Sequence, residues 1–338
     1  MGSFTGFLYR QLTSKPKPLA ASVRLDGQTA LITGANAGLG LDASKELAAH
    51  GLKHLIITAR NAAKGEAAKS EILKAAPSVE VEVWPLDYDS FQSISDFGKR
   101  IADVSRLDIA ILNAGVKFVD RVMSKTGHEA HIQVNHLGTA LVSTYVLEPL
   151  DRTAKSIAKP TRLTIVSSEN HFWAKFREQG APNILEALDA NEECFKGKDK
   201  SNIERYSTSK LLNVFWMREL NARATKLKLD IVINTVNPGF CDSSLHRSDE
   251  SARSAVKLIA WTSAQGASVI TDAATRHDAH HGAYLSDQQV KKASPFVLSQ
   301  KGGELQRKLW NETVALLRKE APPAEMLEAL DRQEIEAN

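Results

Sequence analysis

Short, continuously apolar stretches alternate with helical ones along most of this chain, and that alternation limits the fold more than any other feature. Thr29–Thr33, Leu55–Ala59, Val79–Leu86, Ile109–Leu112, Leu163–Val166 and Ile231–Val236 read as strands. Helical stretches fill the gaps at Leu39–His50, Ala62–Ala75, Phe91–Val104, Arg121–Leu150 and Tyr206–Ala224. Short apolar strands separated by amphipathic helices must be covered on both faces. The pattern predicts a single-domain, doubly wound α/β fold with a parallel sheet. No proline- or glycine-rich linker interrupts 25–300, so residues 25–321 read as one domain, with an N-terminal arm at 1–24 and a tail at 322–338. Two stretches break the alternation, 169–205 and 241–280. Both leave from carboxyl ends of strands, where ligands sit in open parallel sheets, so both are expected to form a substrate lid.

Composition excludes several classes. The 43 basic residues nearly balance 40 acidic ones, and no basic block or aromatic-interleaved patch points to nucleic acid. Cys194 and Cys241 make no CxxC, which argues against a disulfide framework or a zinc site and fits a reducing, cytoplasmic compartment. His277-Asp278-Ala279-His280-His281 reads as a polar helix end, so no metal is expected. No apolar run reaches the ~18 residues of a membrane span. Gly6 stands where a myristoylation signal needs Ser or Thr. Phe4–Leu12 is expected to pack on the body of the fold, with peripheral membrane contact as the other reading, and residues 13–24 read as extended because of Pro16 and Pro18. Further on, Asn183–Ala190 reads as a short helix, Gly282–Leu285 as a last edge strand, Glu304–Lys319 as an amphipathic helix and the tail beyond Pro322-Pro323 as a peripheral helix.

Strand Thr29–Thr33 runs directly into Gly34, Gly38 and Gly40 and then into a helix. Glycine removes the Cβ that would hold an anion away from the backbone, and a helix N-terminus presents free N–H groups to it. On the first strand of an alternating fold, Gly34-Ala35-Asn36-Ala37-Gly38-Leu39-Gly40 therefore reads as the pyrophosphate cradle of a dinucleotide. A tight strand–helix turn is the bland alternative. The second strand ends Thr58-Ala59-Arg60-Asn61, with no acid until Glu66. An acid there would accept from a ribose 2′-hydroxyl and repel a 2′-phosphate, whereas Arg60 can pair with the phosphate bidentately, so NADP(H) is the expected cofactor. Asp87 reads equally as an acceptor for the adenine amine or as a helix N-cap.

Tyr206 and Lys210 stand at i and i+4, on one face of a helix. A phenol with an ordinary pKa of about 10 is a poor base at neutral pH, and a nearby ammonium lowers that value. The pair can then serve as a general acid/base for a carbinol or carbonyl oxygen. Ser167-Ser168 ends a buried strand and can supply a hydroxyl to the same oxygen, turn chemistry being the alternative. His171-Phe172-Trp173 reads either as an aromatic wall for an apolar substrate or as a loop anchor.

Taken in order, Thr33–Gly40, Asn113-Ala114-Gly115, Asn135, Ser168, Tyr206/Lys210 and Asn237-Pro238-Gly239 resemble the short-chain dehydrogenase/reductase superfamily over roughly residues 25–300. The resemblance is strongest to the retinol-dehydrogenase-like branch and its fungal relatives, many of which serve secondary metabolism. It implies a Rossmann fold and assigns roles. Tyr206 would be the acid/base, and Lys210 would depress its pKa and hold the nicotinamide ribose. Ser168 would polarise the substrate carbonyl, and Asn135 would hold a water in a proton relay to Lys210. Asn113, Ala114 and Gly115 would line the adenosine ribose side, with Pro238 and Gly239 flanking the nicotinamide. The implied reaction is NADPH-dependent reduction of a ketone or aldehyde on a small apolar or polycyclic molecule. Homodimers or homotetramers through the helices at 121–150 and 206–224 are implied as well. The chain departs from the pattern in three respects, one being that the tail and the Phe4–Leu12 arm are extras the core fold does not require. Ser168 and Tyr206 stand 38 positions apart, far more than in compact members, and Phe240-Cys241-Asp242-Ser243-Ser244 replaces an expected threonine. The competing readings are a cofactor-binding sensor or structural protein without turnover, and acid/base cyclisation or dehydration on the same fold.

Overall fold

A computed structural model of the chain describes residues 2–196, 203–243, 245, 252–321 and 324–335. Its strands are β1 (Thr29–Ile32), β2 (His54–Ala59), β3 (Glu80–Pro85), β4 (Ile109–Leu112), β5 (Thr161–Val166), β6 (Ile231–Asn237), β7 (Ala283–Ser286) and β8 (Gln289–Lys291). They form one sheet in the order β3-β2-β1-β4-β5-β6-β7-β8, parallel except for the last pair. The apolar runs are continuous because successive residues enter opposite cores. Leu31, Ile56, Ala110 and Leu112 join one cluster, and Ala30, Ile32, Leu55, Ile57, Ile109 and Ile111 join the other.

Helices α1 (Phe4–Thr13), α2 (Gly38–Ala49), α3 (Ala62–Ala75), α4 (Phe91–Ala102), α5 (Thr139–Ile157), α6 (Ile184–Ala190) and α7 (Ile203–Lys226) are followed by α8 (Ala252–Ile259), α9 (Ser263–Thr275), α10 (Gln300–Glu320) and α11 (Glu325–Ile335). α4, α5 and α7 cover one face of the sheet, and α2, α3 and α9 the other. The strand order reverses between β1 and β4, which opens a crevice at the carboxyl ends of the strands. No helix among the described residues is long and apolar enough to cross a membrane.

The structure corrects several expectations. Residues 121–129 are not helical. They form a loop closed by a bridge between Met123 and Glu129, with Gly127 at φ +90 in its turn. The helix begins at Ala130, passes through a π-helical turn at Ile132–Gly138 and runs on as α5. α9 is part of the sheet-covering layer and not a lid, since Glu46 of α2 accepts hydrogen bonds from Ser268 and Thr271. Residues 263–275 thus drop out of the lid expected at 241–280, and of the rest 244 and 246–251 lie outside the described residues. β7 is not the edge, because Asp287 and Gln288, both at positive φ, turn the chain back into β8.

Both termini are tied to the body. Phe4–Thr13 is helical, and α1 docks with Phe7 edge-on to Trp173 and Phe240, while Phe4, Tyr9 and Leu12 stay exposed. Trp310 of α10 stacks on Trp216 of α7 at 4.4 Å, and Leu327 and Leu330 of α11 enter the same core. α10 and α11 thus pack on α7, and α11 also on α5, two of the helices expected to associate between chains. Pro322-Pro323 lies outside the described residues.

Candidate active site

A cleft of about 280 Å³ opens over the switch point. Gly34, Asn36, Gly38, Leu39, Gly40, Arg60, Asp87, Asn113, Ala114, Gly115, Tyr206, Lys210 and Pro238 all line it. Asn135, Ser168 and Gly239 stand directly behind that lining.

The glycine turn is held from two sides. Gly34 (φ +64) and Gly38 (φ +56) take the left-handed conformation that favours glycine. Gly40 is required sterically: a Cβ there would lie 2.6 Å from Asn113 Nδ2 and 2.7 Å from the Gly34 carbonyl. Asn113 Nδ2 donates to the carbonyls of Thr33 (3.0 Å) and Gly34 (3.2 Å), so its side chain supports the turn. The Thr33 hydroxyl accepts from the backbone N–H groups of Asn113 and Ala114, joining the ends of β1 and β4. α2 begins without a side-chain cap, which leaves its first-turn N–H groups free for an anion at the cleft.

At the rim, Arg60 Nη1 lies 4.0 Å from Asp87 Oδ1. Lys64, in the first turn of α3, lines the same rim. Sequence reading missed Lys64, although its place four residues after Arg60 was a usable signal. Asp87 is not a helix cap, because Ser90 caps α4.

At the other end, burial pushes the Tyr206 phenol well above its ordinary pKa, and a hydrogen bond with the Ser168 hydroxyl opposes the rise. Lys210 Nζ lies over the Tyr206 ring, 5.7 Å from its centroid, and donates to the Val166 carbonyl at 3.0 Å. Burial pulls this ammonium down to about 8. The Asn135 side chain holds the loop after β4: Oδ1 accepts from Val116 N (2.8 Å), and Nδ2 donates to Val116 O and Ser209 Oγ. Gly115 packs closely beside it. A Cβ at Gly115 would lie 3.2 Å from Asn135 Oδ1 and 3.6 Å from Lys210 Nζ.

The loops after β5 and β6 are stitched together. Asn237 Oδ1 accepts from the backbone N–H groups of Glu169 (3.0 Å) and Gly239 (3.2 Å). His171 is the anchor of its loop and not a pocket wall. Its Nδ1 bonds to the Ser168 carbonyl at 2.8 Å, Ser294 N donates to its Nε2, and burial lowers its pKa to about 4. None of the described residues of 169–205 lines the cleft. Val116, Lys117, Phe118, Ser243 and Leu245 do, and sequence reading named only Ser243 among them. Ser244 lies outside the described residues.

Comparison with known proteins agrees with this geometry. The family described as short chain dehydrogenase matches residues 28–169. A short chain dehydrogenase of Alternaria solani is 54% identical over 294 residues, covering 86% of this chain and 100% of that one. One of Aspergillus ruber is 36% identical over 327 residues and 90% of each chain. Among solved structures, the Pseudomonas aeruginosa RhlG/NADP active-site complex shares the fold, with a TM-score of 0.60 at 21% identity over 79% of this chain and 97% of that one. Identity of this extent over whole relatives, on this sheet and around this cleft, makes the chain a member of the short-chain dehydrogenase family.

Proposed function

We propose that the chain is an NADPH-dependent reductase acting on the carbonyl of an apolar ketone or aldehyde, with Tyr206 as the general acid. The observation that carries this reading is the buried Tyr206–Ser168 hydrogen bond, with Lys210 Nζ over the phenol ring, at the end of the cleft that begins in the glycine turn.

The residues fit the dinucleotide. A Cβ at Gly34 would press on Ala114, and one at Gly40 on Asn113 and the Gly34 carbonyl, so glycine keeps the turn closed, and α2 is uncapped at the cleft. Arg60 and Lys64 would hold the 2′-phosphate, and Asp87 would accept from the adenine amine. Solved relatives crystallised with NADP or NADPH support the same choice. Bound NADPH supplies the hydride.

The protein's own part is proton transfer and orientation. Burial keeps Tyr206 protonated at neutral pH, which suits a group that must donate to a developing alkoxide. Ser168 shares its hydroxyl with that phenol and would orient the same oxygen. Lys210, with a pKa near 8, exchanges protons readily under working conditions. Asn135 would hold a water that passes protons to Lys210, and Gly115 brings Asn135 Oδ1 and Lys210 Nζ close to one point of the cleft. Val116, Phe118 and Leu245 give the substrate end an apolar lining. Because α10 and α11 pack on α7, and α11 also on α5, the working unit on this reading is the single chain.

The test is NADPH oxidation followed by absorbance against aromatic, polycyclic and aliphatic ketones, with NADH in parallel. Tyr206→Phe should lower kcat by about 10²–10⁴-fold while leaving NADPH affinity nearly unchanged. Full turnover in that variant would reject Tyr206 as the acid.

A further inference from the structure

The N-terminal helix α1 lies outside the sheet, yet its contacts converge on the two loops that frame the candidate site. Gln11 is buried, and its carboxamide faces the backbone of Phe240. Nε2 donates to the carbonyls of Phe240 (2.8 Å) and Ile259 (2.9 Å), and Oε1 accepts from Phe240 N (3.2 Å). Trp261 Nε1 donates to the Gln11 carbonyl at 2.8 Å. Phe240 directly follows Pro238-Gly239.

The other face of α1 grips the loop after Ser168. Trp173 Nε1 donates to the Gly2 carbonyl at 2.8 Å, and Phe7 packs between Trp173 and Phe240. Arg10 pairs with buried Glu169 and lies 3.7 Å from Asp287. Removing Arg10 would leave Glu169 beside a second carboxylate without its countercharge.

We infer that α1 braces the active site and that Gln11 is its positioning residue. The inner ends of the two loops are joined by Asn237, and their outer ends by α1, so Ser168 and Pro238-Gly239 hold their separation only while both ties are made. The inference rests on the proposed cofactor reading only for which nucleotide ends where.

The experiment uses the full-length protein and two probes. NADPH spans the whole cleft, whereas 2′,5′-ADP reaches only the Arg60 end. Gln11→Met keeps the side chain's length but removes its bonds to Phe240 N and to the carbonyls of Phe240 and Ile259. It should weaken NADPH about 10-fold, the loss of a buried hydrogen-bond set, and leave 2′,5′-ADP unchanged. Leu12→Ser, on the exposed face of α1, should change neither. Equal weakening of both probes, or of neither in a protein that melts normally, would overturn the brace.

Should Gln11→Met not fold, hydrogen–deuterium exchange on the unaltered protein decides. NADPH should slow exchange in residues 2–13 together with 238–241, and unchanged exchange in 2–13 overturns the inference. A protein that binds NADH and 5′-AMP in place of the phosphorylated pair defeats the NADP reading alone, and the same comparison is then made with those ligands. A protein that binds no nucleotide defeats both.

Discussion

Replacing Arg60 by aspartate should invert the cofactor preference. The guanidinium is 59% exposed and lies 4.0 Å from Asp87 Oδ1, at a rim it shares with Lys64. For charges about 4 Å apart near a protein surface, one pair is worth about 1–4 kcal/mol. A charge-assisted pair with phosphate falls within that range, at about 1.5–3 kcal/mol. Arg60→Asp removes this attraction and sets a second carboxylate beside Asp87, adding about 1 kcal/mol of repulsion toward a phosphate dianion. NADPH affinity should fall about 10²–10³-fold. NADH should hold or improve, since the new carboxylate can accept from the ribose 2′-hydroxyl. Lys64→Ala, at an exposed lysine, should cost less than about 10-fold. Titrating nicotinamide fluorescence with both cofactors at low and moderate salt measures the ratio directly. The wild-type NADPH affinity should weaken with salt more than that of the variant. A change in the NADPH/NADH ratio of under about 3-fold, with the salt response intact, would show that no 2′-phosphate sits at this rim and refute the reasoning.

Three further outcomes follow from the geometry. Gly40→Ala forces a Cβ against Asn113 Nδ2 and the Gly34 carbonyl, an overpacking worth about 1–3 kcal/mol, and should weaken dinucleotide binding more than it lowers the melting temperature. For Lys210, the folded pKa is about 8 and the ordinary value 10.5. The unfolded chain therefore keeps this proton to higher pH, and the group's contribution to stability rises between pH 8 and 10.5, on the order of 3 kcal/mol in total. Lys210→Met should lose that rise, and melting curves of the two proteins that run parallel from pH 7.5 to 10 would reject it. With α10 and α11 packed on α7, and α11 also on α5, light scattering should return the mass of one chain, and a dimer mass would require another contact face.

The parts of the fold that were legible are those written locally. Gly34, Gly38 and Gly40 sit on one turn, and Arg60 ends one strand, so spacing alone located them. Asn113 was legible as a motif but not as the support of the glycine turn, because its partners lie 80 residues upstream. The π-helical turn around Asn135 has no signature in periodicity, and the small apolar residues that follow it hid where the helix begins, so the loop at 121–129 read as helix. Gln11 was invisible for a plainer reason. A glutamine in an apolar segment says nothing until Phe240 is opposite it.

The insertion between Ser168 and Tyr206 shows where specificity is written on the proposed reading. Its length suggested a lid, yet Phe176, Ile184, Leu185 and Leu188 are buried in the main core. α10 depends on this segment and supports it: Glu312 accepts from the first free N–H groups of α6, Ile184 N at 2.8 Å and Leu185 N at 3.0 Å. Arg205, next to Tyr206, closes the same layer by donating to Glu178 and to the Asn191 carbonyl. A segment whose apolar side chains fill the core and whose polar ones are paired inside it has little left to offer a substrate. Among the described residues the cleft is lined instead by the loop after β4, at Val116, Lys117 and Phe118, and by Ser243 and Leu245 beyond β6, and on the proposed reading these choose the carbonyl. Exchanging residues 116–118 should therefore change which ketones are reduced, whereas substitutions at exposed positions of 174–196 should change stability alone.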